Sequence, residues 1–422
     1  METIIPDTWD IFYKNLVRES DYRVIFVIID GMPDIHIKEL GGTPLSAAQT
    51  PNLDRLAKEG ASGLIYPTIE PHIPVGSGPA HLALFGYGLD RYPGRGALEA
   101  LGAGLTVPQG SIVIRINFAT IDENGIVIDR RAGRLRDNEA KPLMERLNGL
   151  KCEKDWCLDY KIHHTKGYRG ALIISGEDAS AAISNSDPRA IGQSILEVVP
   201  LSNEKTAQNT ANFINWFIKA AQEALAKNND TGATGIVTRG AGAIKFYESF
   251  TDRYKFKSPI FISSYPLYKG IARFLRIPVE EPKKSGKQLT INDKCKTAAS
   301  LIKKHDMTIL HIKDPDTAGE DGNSLRKKEI IEEIDACIPY ITDKMEEDDT
   351  LVITSDHSTP APMREHSGHP IPLLMKGPFV RVDRVEKFSE LDCIHGSLGT
   401  FRAIELMNLI LMSTKRLKIY GP

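Results

Sequence analysis

Three short runs of unbroken apolar residues, RVIFVIID at 23–30, MTILHIKD at 307–314 and TLVITSD at 350–356, each end on an aspartate. They are rich in Val and Ile and do not alternate with polar residues, so neither face of these segments is built for water. Strands of that kind belong to a parallel sheet covered on both sides. Helical patterns accompany them. TPNLDRLAKEG offers Thr50 as N-cap, Pro51 in the first turn, Leu53, Leu56 and Ala57 on one face, and Gly60 as a stop. SLRKKEIIEEIDACIPYITDKM at 324–345 and TFRAIELMNLILM near the end repeat apolar residues at intervals of three and four. The predicted fold class is therefore α/β, a doubly wound and mainly parallel sheet.

At 422 residues the chain exceeds what one core normally serves. The middle reads differently from the flanks. SIVIRINFATIDENGIVIDRRAGR predicts two strands joined by a tight turn at Asp122–Gly125. YRGALIISG at 168–176 and ATGIVTRG at 233–240 add strands, with the long helix KTAQNTANFINWFIKAAQEALAKN between them. This predicts a smaller α/β domain, 106–261, inserted into a sheet domain made of 1–105 and 262–422. A net charge of −2 argues against nucleic acid or an anionic membrane surface as partner. No run approaches the ~20 apolar residues of a membrane span. The opening METIIPDTWDIFYKN lacks the basic start and apolar stretch of a secretory signal. The cysteines, Cys152, Cys157, Cys295, Cys337 and Cys393, are odd in number and scattered, and the Cys152/Cys157 spacing matches no zinc motif. Reduced thiols and a cytoplasmic protein are the expectation.

The acids at the strand ends carry the chemistry. Asp30 closes the first run, Asp314 and Asp316 the second, and Asp356 the third, followed by His357. Open α/β sheets bind ligands beyond the carboxyl ends of their strands. One such aspartate would be a turn residue. Three, joined by His357 and His366 of the proline-broken stretch TSDHSTPAPMREHSGHP, crowd carboxylates that repel unless a cation lies among them. One or two divalent metal ions resolve that conflict. PVGSGPAHLALFGYG sets Ser77 in a glycine-flanked turn before a helix opened by Pro79, where helix amides suit a phosphate. Alone it reads as a serine cap; beside a metal centre it becomes a nucleophile. His81 reads as a packed core histidine, His163 and His164 as solvated in a polar loop, and His369 as either backing the ligands or facing solvent.

IIDGMPD, TPNLDRLAKEG, GSGPAHLALFGY, YPGRGALEALGAGL, INFATID with GIVIDRRAGR, TRGAG and SDHSTP with HSG occur in this order over nearly the whole chain. In this the chain resembles the archaeal-type, cofactor-independent phosphoglycerate mutases of the alkaline phosphatase superfamily. The resemblance implies an alkaline-phosphatase-like sheet with an inserted domain. It implies interconversion of 3-phosphoglycerate and 2-phosphoglycerate, in glycolysis and gluconeogenesis, with Ser77 carrying the phosphoryl group. Asp30, Asp356 and His357, with Ser77, match the ligands of one metal; Asp316 and His366 match those of another. Asp129, Arg130 and Arg131 match the cluster that holds the phosphoglycerate, Asp129 managing hydroxyl protons, with Arg239 and Lys269 adding charge. Forked guanidinium groups suit a substrate bearing phosphate and carboxylate. On a continuing strand Arg130 and Arg131 would point to opposite faces.

Two positions depart from the pattern. Glu320 stands where the family places a histidine, and Gly78 follows Ser77 where relatives often have Asp. An oxygen ligand at 320 favours Mn²⁺ among Mn²⁺, Mg²⁺, Co²⁺ and Zn²⁺. Two other readings remain open at this level: a phosphatase or phosphotransferase acting on another small phosphate ester, and a non-catalytic metal- or metabolite-binding protein. The sequence leaves the oligomeric state open.

Overall fold

The computed structural model describes residues 13, 15–68, 70–226 and 231–421. The stretch read for a secretory signal lies outside them apart from Tyr13 and Asn15, as does the end of the helix predicted before Asn228. In chain order the strands are β1 (Val24–Ile29), β2 (Ala61–Tyr66), β3 (Ile112–Ile121), β4 (Val127–Asp129), β5 (Tyr160–Lys166), β6 (Arg169–Ile174) and β7 (Gly235–Ala243). There follow β8 (Pro259–Ile262), β9 (Val279–Glu280), β10 (Met307–Ile312), β11 (Thr350–Thr354), β12 (Ile371–Lys376) and β13 (Gly399–Arg402). They form two compact units. The larger comprises Met1–Tyr92, Glu248–Ser264 and Leu275–Pro422; the smaller comprises Pro93–Tyr247 and Tyr265–Phe274.

The larger unit is built on an eight-stranded sheet in the order β13-β2-β12-β11-β1-β10-β8-β9, in which β12 alone runs antiparallel to its neighbours. Every residue of β1, β10 and β11 is buried, as their unbroken apolar character requires. Ile25, Val27 and Ile29 pack with Leu53 and Leu56 on one side and with Ile330, Ile334 and Ile338 of the Ser324–Thr342 helix. Phe26, pointing the other way, meets Phe85 edge to face at 6.1 Å. Each such side chain contributes about 1.5–3 kcal/mol by leaving water. Register then places the site. Ile29 pairs with Ile312 and Ile28 with Thr354, so β1, β10 and β11 end level and deliver their acids to one edge.

In the smaller unit β4, β3, β6 and β5 lie side by side, with β7 also paired to β3, all antiparallel. Ile114, Ile116 and Phe118 of β3 pack on Leu143 and Leu147 of the Asp137–Asn148 helix and on Phe213 and Phe217 of the Lys205–Leu225 helix. The alternate residues, Arg115 and Asn117, belong to the other face, where the Arg115 Nε donates to Asn117 Oδ1.

The boundaries differ from the expected 106 and 261. The Arg95–Gly102 helix joins the smaller unit, and so does the Pro266–Phe274 helix. The two helices touch backbone to backbone: a Cβ on Gly102 would lie 1.7 Å from the Pro266 carbonyl oxygen, and one on Gly270 1.8 Å from that of Leu98. The expectation of reduced thiols also needs correction. Cys152 and Cys157 form a disulfide across a Cα separation of 5.7 Å, a distance a five-residue turn supplies, while Cys295, Cys337 and Cys393 are free and buried. His163 and His164 lie on β5 rather than in a loop. No helix among the described residues is long and apolar enough to cross a membrane.

Candidate functional site

Asp30, Asp316, Asp356 and His357 are wholly buried, and Ser77 nearly so, at the sheet edge of the larger unit. Asp30 follows β1 directly, Asp356 is separated from the end of β11 by one residue, and Asp316 sits in the first turn of the Asp314–Glu320 helix after β10. Among the described residues, two sets of side chains offer ligand atoms within 4.8 Å of one another: Asp30, Asp356 and His357, and Asp316, His357 and His366. His357 belongs to both.

Hydrogen bonds fix how these groups face. Asp356 Oδ1 accepts from the amides of Gly31 (3.2 Å) and His357 (3.0 Å). Its Oδ2 accepts no hydrogen bond from any described residue, although His357 Nε2 lies 3.1 Å away and His81 Nδ1 3.3 Å away. The His81 Nδ1 proton is engaged elsewhere, donated to the Ser77 carbonyl oxygen at 2.8 Å. Asp30 approaches His357 Nε2 through Oδ1 at 3.4 Å and receives His311 Nε2 on Oδ2 at 3.2 Å. His366 Nδ1 donates to the Val75 carbonyl oxygen at 2.7 Å, which leaves Nε2 facing Asp316 Oδ1 at 3.6 Å. The His357 and His366 rings stack with centroids 3.6 Å apart.

Charge follows from this burial. Desolvation pushes the His357 imidazole down to about 3 and the His311 imidazole to about 4, in spite of their acidic neighbours, so both are neutral. Burial works against the Asp30 carboxylate, yet Lys313 and His311 outweigh it and hold its carboxyl well below the usual range. Lys313 bonds Asp316 and lies 3.6 Å from Asp30, so its ammonium offsets part of the negative charge. Against its burial, the His81 imidazole is raised by Asp356 and Asp30, yet three buried aspartates outnumber the charges of Lys313 and His81, and Asp356 Oδ2 accepts no hydrogen bond from a described residue. That donor set fits divalent cations.

Ser77 opens the Ser77–Leu84 helix, with Gly76 as its N-cap. Its Oγ lies 3.1 Å from His357 Nε2 and so beside the first donor set. Helix amides at that end can face an anion. Glu320 ends the Asp314–Glu320 helix outside both sets, with its side chain 54% exposed and Oε1 4.0 Å from His366 Nε2. Burial, then the neighbouring Asp316 charge, push its carboxyl above the usual value. His369 Nδ1 lies 2.8 Å from Ser367 Oγ, a hydrogen bond outside both sets.

The smaller unit gathers arginines. Arg130 forms a two-pronged pair with buried Asp187, at 3.0 and 2.8 Å, and Arg239 lies 3.9 Å from the same carboxylate. Arg131 is exposed, because β4 ends at Asp129 and the chain turns there instead of continuing as a strand. Asp129 caps that turn, accepting from the amides of Arg131 at 2.8 Å and Gly133 at 2.6 Å. Lys269 is half-buried on the Pro266–Phe274 helix.

Arg115 was not singled out from the sequence. It is 4% exposed, stands opposite Arg239 across β3 and β7, and donates to Glu99 at 3.0 Å. Burial pushes its guanidinium down to about 10, with Arg239, Arg169 and Arg95 adding to the effect against Glu99. A charged residue among isoleucines in β3 was the signal available. His81, His311 and Lys313 were likewise missed as partners of the acids; His311 lies within β10, where a purely structural strand would carry an apolar residue, and Lys313 directly follows the strand.

A family model described as 2,3-bisphosphoglycerate-independent phosphoglycerate mutase matches residues 57–229. A relative of that name from Methanocaldococcus jannaschii is 37% identical over 412 residues, covering 94% of this chain and 99% of its own. The chain belongs to the 2,3-bisphosphoglycerate-independent phosphoglycerate mutase family. A probable mutase of the same family from Thermus thermophilus is also 37% identical, covering 97% and 98% of the two chains. Among solved structures, a Pyrococcus horikoshii protein superimposes with a TM-score of 0.80 at 30% identity, over 96% of this chain and all of its own. The cofactor-independent phosphoglycerate mutase of Thermoplasma acidophilum does so at 0.65 and 27%, over 93% and 100%. The family's members are enzymes, and this chain shares its α/β fold with the solved relatives.

Proposed function

We propose that this chain is a metal-dependent mutase that interconverts 3-phosphoglycerate and 2-phosphoglycerate without 2,3-bisphosphoglycerate, through a phosphoserine at Ser77. The observation that carries the reading is the Ser77 hydroxyl, buried at a helix start and 3.1 Å from His357 Nε2 among paired acids, in a chain related to these mutases over nearly its whole length. Asp30, Asp356 and His357 would hold one cation beside Ser77, and Asp316 and His366 the other, with Glu320 as an oxygen at its rim. Bound there, divalent ions would offset the carboxylate charge, lower the pKa of the Ser77 hydroxyl and draw charge from phosphate oxygens. The two acids of the first set, with the Ser77 hydroxyl and Glu320 as further oxygens, favour Mn²⁺.

The chain's own groups account for the rest. In the first half-reaction the Ser77 Oγ–P bond forms as the bond from phosphorus to the glycerate C3 oxygen breaks, and the serine proton ends on that oxygen. In the second, the C2 oxygen attacks phosphorus, the Oγ–P bond breaks, and the C2 hydroxyl proton restores Ser77. Amides at the start of the Ser77–Leu84 helix support the charged phosphate. Arg130, Arg239 and Lys269, with Arg131 at the exposed turn, would grip the phosphate and carboxylate of the glycerate. Asp129 manages the hydroxyl protons.

The test is an enolase-coupled assay of chelator-treated protein with 3-phosphoglycerate, adding back Mn²⁺, Co²⁺, Mg²⁺ or Zn²⁺. Turnover should be absent without metal and highest with Mn²⁺, with no 2,3-bisphosphoglycerate added. Full turnover without metal, or a requirement for the bisphosphate, would overturn the reading.

A further inference from the structure

Thr359 lies two residues beyond His357 and is wholly buried. Its Oγ1 donates to Asp316 Oδ1 at 2.6 Å. A hydroxyl has one hydrogen, and a carboxylate only accepts. The same oxygen lies 3.1 Å from His357 Nδ1, so toward that nitrogen it must act as acceptor. The ring proton therefore sits on Nδ1. Nε2 is left with its lone pair turned toward Ser77 Oγ, Asp356 Oδ2 and Asp30 Oδ1, at 3.1, 3.1 and 3.4 Å. The other tautomer would set a nitrogen lone pair against an oxygen whose proton is already committed.

The surroundings keep the hydroxyl where it is. Buried Lys327 donates to the Thr359 carbonyl oxygen at 2.9 Å, to the Pro33 carbonyl oxygen at 3.0 Å and to Asp34 Oδ2 at 2.8 Å. The Thr359 amide donates to Pro33 as well, at 3.3 Å. The loop that follows β1 and the loop that follows β11 are thus tied to one ammonium, with the Thr359 side chain between the two donor sets. Gly31 makes the room: its φ is +62°, and a Cβ there would lie 2.6 Å from Thr359 Oγ1.

We propose that Thr359 is a positioning residue that fixes the tautomer of His357 and couples the two cation sets, so that Asp316 of the second set and His357, which belongs to both, are oriented by a single hydroxyl. A histidine that ligates through one ring nitrogen is held by a partner on the other. Here that partner also holds a ligand of the second set. One substitution should then weaken both cations together.

This rests on the reading of the two donor sets as cation sites, and the experiment separates the two. Co²⁺ is titrated into metal-free parent, Thr359→Val and Thr359→Ser by calorimetry and by visible absorption. The ¹⁵N shifts of His357 are read by long-range ¹H–¹⁵N correlation without metal. The parent should bind Co²⁺ and show the proton on Nδ1. In Thr359→Val both binding steps should weaken by about 10- to 100-fold, and Thr359→Ser should restore them. If the parent binds no Co²⁺, the cation reading itself fails. A parent that binds Co²⁺, with a folded Thr359→Val that follows the same isotherm, overturns the role of Thr359. So does a serine variant as weak as the valine variant. Should the valine variant not fold, a His357 proton found on Nε2 in the metal-free parent overturns the proposal by itself.

Discussion

His357 shows how much one residue decides here. Its identity and its place after the β11 aspartate were legible in the sequence. Its membership of both donor sets was not, because that depends on a ring orientation set by Thr359, and a threonine in a turn carries no outward sign of such a role. Asp30, Asp316, Asp356 and His366 were legible for the opposite reason: acids and imidazoles are costly to bury, so their repetition at and after strand ends points to a cation, and Ser77 stood out only beside them. Glu320 shows the boundary of that logic, since spacing suggested a ligand and the side chain is more than half exposed, 4.0 Å from His366. Glu320→Gln keeps size and removes charge, and should weaken Mn²⁺ binding by about tenfold, less than Asp316→Asn does. A calorimetric Mn²⁺ titration of Glu320→Gln that superimposes on the parent's would place Glu320 outside the cation's reach.

At the scale of elements, the strands were readable because a fully buried parallel strand has to be apolar without interruption, as β1, β10 and β11 are. The limits of the smaller unit were not readable. They depend on Gly102 and Gly270 meeting across a separation in sequence that no local pattern encodes. The disulfide of Cys152 and Cys157 escaped for a similar reason, since scattered cysteines give no sign of which backbone turn brings two together. The tight element at the site is the turn after β1. Gly31 holds a left-handed φ of +62°, and a Cβ would stand 2.6 Å from Asp316 Cβ. Gly31→Ala should lower unfolding stability by about 2 kcal/mol or more, from the backbone strain and the clash together. Chemical denaturation measures this directly, and a loss within error of zero would mean that the turn relaxes freely.

At the scale of the whole molecule, the acids, imidazoles and Ser77 lie in the larger unit and a set of guanidinium groups in the smaller, and the proposed function assigns the second set to the substrate. The Arg130 fork on Asp187 gives this division a test. Arg130→Lys keeps the charge and loses the planar fork, so mutase kcat/KM should fall by about 10- to 100-fold while hydrolysis of an aryl phosphate changes little. Equal losses in both activities would assign Arg130 to the fold instead of the substrate. The central claim is that the phosphoryl group passes through Ser77. The most direct measurement is an acid quench of the protein turning over ³²P-labelled 3-phosphoglycerate with Mn²⁺, followed by mapping of the labelled peptide in parent and in Ser77→Ala. The account predicts label on Ser77 in the parent, and neither label nor mutase turnover in a folded, Mn²⁺-binding Ser77→Ala. Label on another residue, or substantial mutase turnover by the alanine variant, would contradict it.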